Sequence, residues 1–217
     1  MKIEMLNPYV LKILISLRKE DSISSISKRI NLSYGWTNKW VNELIKEGIL
    51  KKKWRGVVLN EENKSYKKII SFVKDNLKDI NFYYSALQLF GIDYCLTKTD
   101  AVYVWTEGRY NIARYKEYYP IFIKIEKKDY SIFLEYCKKL DLKIDFKKTN
   151  SKKGIFYNVE ILDEFKSVKK DEFFVEPLDE AINFMKQNIY NFEPALEMID
   201  EMYNKKSNTK YKEVNYL

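Results

Sequence analysis

Histidine is absent from the 217 residues. Its absence removes every nucleophile activated by imidazole and every zinc site that needs an imidazole ligand. Cysteine occurs twice, at Cys95 and Cys137, 42 residues apart and with no C-x-x-C pair. That spacing makes neither a structural zinc site nor a disulfide framework, and both thiols are expected to be buried and reduced. With 6 glycines in the chain, neither G-x-G-x-x-G nor G-x-x-x-x-G-K-[ST] occurs, which excludes glycine-loop phosphate binding. No stretch approaches the ~20 consecutive apolar residues of a membrane span, because "YVLKILISL" is short and carries Lys12. The N-terminus lacks a signal-peptide cleavage pattern. The expectation is a cytoplasmic protein with no membrane partner and no cofactor.

What is present is charge, unevenly placed. Lys and Arg number 39 against 31 Asp and Glu, a net +8. Residues 1–64 hold 13 basic and 7 acidic side chains, net +6, whereas residues 65–217 hold 26 and 24, net +2. Such asymmetry points to a polyanion as the partner of the first segment.

Periodicity organises that basic segment. Val10, Leu11, Ile13, Leu14 and Leu17 form one stripe at helical spacing, predicting a helix over about residues 6–19. Asp21 or Ser22 can cap a second, short helix carrying Ile23, Ile26 and Ile30 and ending near Asn31. Residues 34–47 read as a third helix with Thr37, Trp40, Val41, Leu44 and Ile45 inward and Gly48 as its stop. Trp36 flanks this stripe and is expected in the core, with stacking on a sugar or contact with a following domain as its other readings. "ILKKKWRGVVLN" then gives two β-prone runs around Arg55-Gly56, where glycine is expected to supply the positive φ of a hairpin turn.

Three helices followed by a basic hairpin is the order of a winged helix-turn-helix. "SISSISKRINLSYGWTNKWVNELIKEGILKKK" resembles the MarR-like and related archaeal winged-helix regulators, most specifically in Leu32-Ser33, Leu44 and Gly48-Ile49-Leu50. It departs from their pattern with tryptophan at positions 36 and 40. A recognition helix enters the major groove and reads base edges. Ser33, Tyr34, Gly35, Asn38, Lys39 and Asn42 are the polar or small positions of the outward face, where Asn can pair with adenine and Lys with guanine or phosphate. Lys51, Lys52, Lys53 and Arg55 lie on the hairpin, where at least two should reach phosphates. A Lys-rich hairpin that is only solvated surface, or that contacts protein, is the competing reading.

The expected organisation is α+β: a DNA-binding domain over residues 1–64, a mixed α+β regulatory domain over 65–203 and a frayed tail over 204–217. The second part opens on a linking helix with Ile69, Ile70, Phe72, Val73 and Leu77 spaced to pack, then a helix over 83–91. Strands are expected in "AVYVWTE", "IFIKIE", "LKIDFKK" and "GIFYNVEIL", with a helix at about 128–140 between them and Pro177 and Pro194 each opening a further helix.

Two functional readings apply to this part. Glu126-Lys127-Lys128 at a strand end fits the E-x-K half of a nuclease-type site, with Asp100 or Asp93 as the second Mg²⁺-holding acid. An E-x-K is also expected by chance in a chain this charged, and Asp179-Glu180 and Asp163-Glu164 read as helix-start and loop acids. Alternatively, "FYYSALQLFGIDYCLTKTDAVYVWTEG" resembles the AbiEi antitoxin and transcriptional-regulator family in Tyr84, Ser85, Ala86, Leu87, Leu89 and Gly91, then Val102, Tyr103 and Val104. "VEPLDEAINFMKQNIYNFEPALEMI" is similar to the helical end of its archaeal members. That resemblance implies a DNA-binding autorepressor without catalytic residues that counters a nucleotidyltransferase toxin encoded nearby. A homodimer on a palindromic operator is plausible, although no heptad marks an interface.

Overall fold

A computed structural model describes residues 7–76, 79–112, 114–115, 117–146 and 153–207. In chain order the first elements are α1 (Pro8–Ser16), β1 (Glu20–Asp21), α2 (Ile23–Arg29), α3 (Tyr34–Lys46), β2 (Leu50–Lys53), β3 (Gly56–Leu59), α4 (Lys64–Asn76) and α5 (Ile80–Phe90). There follow β4 (Tyr94–Leu96), α6 (Thr99–Trp105), β5 (Tyr118–Glu126), α7 (Tyr130–Leu140), β6 (Ile144–Asp145), β7 (Gly154–Leu162), β8 (Val168–Lys170), β9 (Phe173–Val175), α8 (Leu178–Gln187) and α9 (Ile189–Tyr203). The protein is mixed α+β and divides into two compact units, one running through Ile92 and regained at Ser131–Leu142, the other formed by Asp93–Tyr130 and the described residues from Lys143 onward.

In the first unit the expected helices form because each has its cap and its stripe. Asn7 accepts the Val10 N–H, Ser22 that of Ser25 and Ser33 that of Trp36. Ser22, not Asp21, caps α2. Both α2 and α3 end in the same way, with the residue after the cap left-handed: Asn31 at φ 52° and Gly48 at φ 67°. In each case the next N–H reaches back to the carbonyl five positions earlier, Leu32 to Ser27 O and Ile49 to Leu44 O, satisfying terminal carbonyls. Val10, Ile13, Leu14, Ile26, Val41, Leu44 and Ile49 are fully buried together.

Tyr66, Ile69 and Ile70 of α4 belong to that same core, so the boundary expected between residues 64 and 65 lies inside a compact unit. Phe72, expected to pack, is instead 49% exposed, and Leu77 lies outside the described residues. The small sheet has strand order β1-β3-β2, all antiparallel. β1 was not anticipated. It exists because Asp21 is held at the centre of a polar knot: its carboxylate meets Arg29 Nη1 at 2.6 Å and Nη2 at 3.1 Å and accepts the Arg18 N–H at 3.2 Å.

Arg29 Nη1 also donates to Ser16 O at 2.8 Å, and Tyr136 Oη to the same carbonyl at 2.5 Å. Lys139 Nζ donates to the carbonyls of Leu14, Ile15 and Leu17. Cationic donors thus complete the C-terminus of α1, where the helix leaves its carbonyls unpaired. Burial outweighs that favourable field and pulls the Lys139 ammonium down to about 8.

The second unit is a six-stranded mixed sheet of order β6-β7-β5-β4-β9-β8. Its spine is the parallel β5/β7 pair, in register over nine residues from Tyr118 opposite Gly154 to Glu126 opposite Leu162. Ile121, Ile123 and Ile125 alternate inward at full burial. Helices α6, α8 and α9 share a core of Val102, Ile182, Met185, Phe192, Ala195, Leu196 and Ile199.

Several expectations need correction here. Residues 101–105 are helix, not strand, so Val102, Tyr103 and Val104 do not form the strand implied by the AbiEi resemblance. Pro194 lies inside α9, not at its start, whereas Pro177 does stand at the head of α8. "LKIDFKK" yields only the two-residue β6. The tail expected to fray from residue 204 is tied at first, because Ser207 N and Oγ bond the Asp200 carboxylate; residues 208–217 lie outside the described residues.

The Asp21–Arg29 side chains are 3% and 7% exposed, so removing one partner strands a buried charge. Arg29→Met is expected to lower the unfolding free energy by about 3 kcal/mol. Lys46→Ala, which breaks an ion pair whose lysine is 70% exposed, should change it by no more than ~0.5 kcal/mol. Denaturant melts of the two variants against the parent check this contrast.

Candidate nucleic-acid interface

The outward face of α3 and the β2–β3 hairpin are fixed to each other by backbone and amide hydrogen bonds. Asn60 Nδ2 donates to Gly48 O at 3.0 Å, Asn63 Nδ2 to Glu47 O at 3.0 Å and Asn60 N to Ile49 O at 2.8 Å. The end of α3, the base of the hairpin and the start of α4 therefore form one joint. Pairing of Lys53 with Gly56 leaves a two-residue turn, Trp54-Arg55. Gly56 is not required for a positive φ, contrary to expectation, since no residue of this turn has one. It is required for space: a Cβ there would sit 2.2 Å from Asp21 O.

Of the ten expected contact residues, all but the half-buried Asn38 are exposed. Ser33 spends its hydroxyl on the α3 cap. Tyr34 is 57% exposed, and Gly35 has open space around it. Asn38 is half-buried, and its Oδ1 accepts from Asn42 Nδ2 at 3.2 Å. Among the described residues Asn38 keeps its amide donors and Asn42 its carbonyl for an outside partner, a donor and an acceptor one helical turn apart.

Lys39 has its ammonium 4.8 Å from the Trp36 ring centroid and 5.3 Å from that of Trp40, so two indoles hold the cation. Trp36 is not core. It is 50% exposed and stacks on Tyr9 at 5.7 Å. Lys51, Lys52, Lys53 and Arg55 are all exposed, and none makes an ion pair among the described residues. Lys51, Lys52 and Lys53 are exposed in succession after the buried Leu50, so the alternation of strand side chains does not hide half of these cations. Sequence reasoning passed over Trp54 and Tyr9. An aromatic residue between two cations in a turn was the available signal for the first; the second had none.

In the second unit the E-x-K acids gather at the end of β5. Asp93, Glu126 and Asp129 each bring a carboxylate oxygen within 4.8 Å of the others. Lys128 Nζ pairs with Glu126 and, at 3.2 Å, with Asp93, and these hydrogen bonds raise its pKa. The lysine thus offsets one of the cluster's three negative charges. Asp100, the other acid considered, is fully buried against Arg114 at 2.6 Å and accepts the Phe122 N–H at 2.7 Å, which makes it structural. Cys95 and Cys137 are free and buried, and burial raises both thiols, Cys95 to about 12.

Gly56→Ala is expected to force β1 away from β3 and cost on the order of 1–3 kcal/mol, whereas Lys52→Ala should leave the melt unchanged. Thermal unfolding of both variants measures the difference.

Comparison of the chain with models of protein families, with curated proteins and with solved structures found no match.

Proposed function

We propose that the first unit acts as a winged helix-turn-helix that binds duplex DNA, with α3 as the recognition helix and the hairpin as the wing, in a transcriptional regulator. The observation that carries this reading is the row of cations at Lys51, Lys52, Lys53 and Arg55, without an ion pair among the described residues and joined rigidly to a helix face bearing Asn38, Lys39 and Asn42. Folding gives no use for this charge, while a phosphate backbone rewards each neutralised phosphate by releasing counterions. The Asn38–Asn42 pair offers the donor and acceptor that an adenine edge accepts in the major groove. The hairpin cations would position, and α3 would read. The narrower role of an AbiEi-like antitoxin, repressing its own operon and countering a nucleotidyltransferase toxin, rests on the short motifs around Tyr84–Gly91, and the helical form of residues 101–105 weakens it.

A second reading keeps the acids of the second unit as a metal-dependent nuclease site, favoured by the convergence of Asp93, Glu126 and Asp129. It would require Mg²⁺ to displace Lys128 from two of them. Mg²⁺-dependent cleavage of DNA that Glu126→Gln abolishes would support it.

If four to six cations neutralise phosphates, log affinity should fall against log salt with a slope of roughly −4 to −5. Lys52→Ala is expected to flatten the slope by about one and weaken all duplexes alike, and Asn38→Ala to remove any preference for the chain's own upstream region over random DNA. Titration of labelled duplexes across a salt series reads all three. A salt-insensitive association with another protein, with no DNA shift, would replace this reading with a protein-interaction module.

A further inference from the structure

Trp54 is 96% exposed, more than any other large apolar side chain described. An indole is the largest apolar surface a residue can withdraw from water, and here folding withdraws almost none of it. It makes no ring, cation or hydrogen-bond contact among the described residues. Scattered surface apolar residues need no explanation, but two features set this one apart. The backbone that carries it is fixed, because Lys53 pairs with Gly56 and Gly56 lies against Asp21 O. The indole is therefore presented, not left loose. It also stands between Lys53 and Arg55, both exposed and without an ion pair among the described residues.

We propose that Trp54 is a base-stacking residue: when the hairpin engages DNA, the indole stacks on a nucleobase at an easily unstacked step, while Lys53 and Arg55 hold the flanking phosphates. The inference rests on the DNA-binding reading and goes beyond it by naming a contact made through a base face, not an edge. Every base has a π-face, so such a contact tolerates sequence. Apolar wedges between base steps are one way proteins gain affinity from deformable duplex, and pyrimidine–purine steps yield most readily.

An anionic membrane surface also attracts tryptophan flanked by lysine. Membrane adsorption, however, needs an apolar face of several residues. Residues 51–55 offer a single apolar side chain, and the next one along, Val57, is buried. Charge and shape favour the nucleic acid.

The test uses the full chain and a fluorescein-labelled duplex from the chain's upstream region, with the same duplex carrying 2-aminopurine at successive steps. Trp54→Ala is expected to weaken binding on the order of tenfold with an unchanged salt slope, and Trp54→Phe to restore most of it. 2-Aminopurine emission should rise at one step with the parent and not with Trp54→Ala. Because the side chain is solvent-exposed, melts should coincide, which separates the contact from folding. Equal affinities of parent and Trp54→Ala, with Lys52→Ala still weakening both, would overturn the stacking role and leave the DNA reading standing. Weaker binding without a 2-aminopurine signal would also overturn stacking. No duplex binding by the parent at low salt would remove the DNA reading itself. A blue-shifted emission on phosphatidylserine vesicles that requires Trp54, with DNA affinity unaffected by its loss, would assign the residue to a membrane surface.

Discussion

The buried ion pair between Asp21 and Arg29 is the constraint on which the first unit depends. The guanidinium joins the end of α2 to the end of α1 through Ser16 O, and the carboxylate holds Arg18 and β1 in place. β1 then sets β3 by pairing Glu20 with Val58 and Asp21 with Val57, and β3 sets β2. The register of the basic hairpin is in this sense inherited from two residues well upstream of it, Asp21 and Arg29. The stem of Arg29 also lies where a Cβ on Gly91 would be, 2.3 Å from its Cγ, and Arg18 bonds Gly91 O at 2.8 Å, so the end of α5 closes on the same pair. A buried charge pair is weak evidence of stability, because dehydration offsets most of the attraction. What it supplies here is register.

The second unit is organised by polar groups in a comparable way. Asp100 and Arg114 are buried together, with Arg114 also 4.7 Å from the Tyr119 ring centroid. Glu176, 3% exposed, accepts from Thr97 Oγ1, from Lys98 N at 3.1 Å and from Lys124 Nζ at 3.2 Å. That grip holds Lys98 at φ 55° and ψ −128°, a strained conformation for a side-chain-bearing residue, and it starts α6. These acids are spent on structure. Of the acids gathered at the end of β5, Asp93 and Glu126 are engaged by Lys128.

Much of this was legible where pattern and cap agree. The stripes of α1, α2 and α3, the stop at Gly48 and the β-prone runs around the hairpin read directly, because one face of each meets the core and the other does not. "AVYVW" misled because a short apolar run buried on several sides has no period to read. Its helix is fixed by bonds from Lys98 and Trp105 to Glu176 and from Arg114 and Phe122 to Asp100, which no local pattern carries. Pro194 was misplaced for a related reason: it deprives only the carbonyl of Tyr190 of its helical partner, and Tyr190 is 74% exposed, so water can reach that end of α9. β1, β8 and β9 span two or three residues each, too few for alternation to show. At the candidate site, the residue types were legible but their use was not. Trp36 left the core because Tyr9 and Lys39 offered its ring other partners at the surface.

The most direct measurement is the amide ¹H–¹⁵N spectrum of the full chain during titration with a duplex from its upstream region. DNA binding by helix and hairpin requires shifts concentrated in residues 33–42 and 51–56, growing as salt is lowered. Shifts centred instead on Asp93, Glu126 and Asp129, or a spectrum the duplex leaves unchanged at low salt, would contradict it.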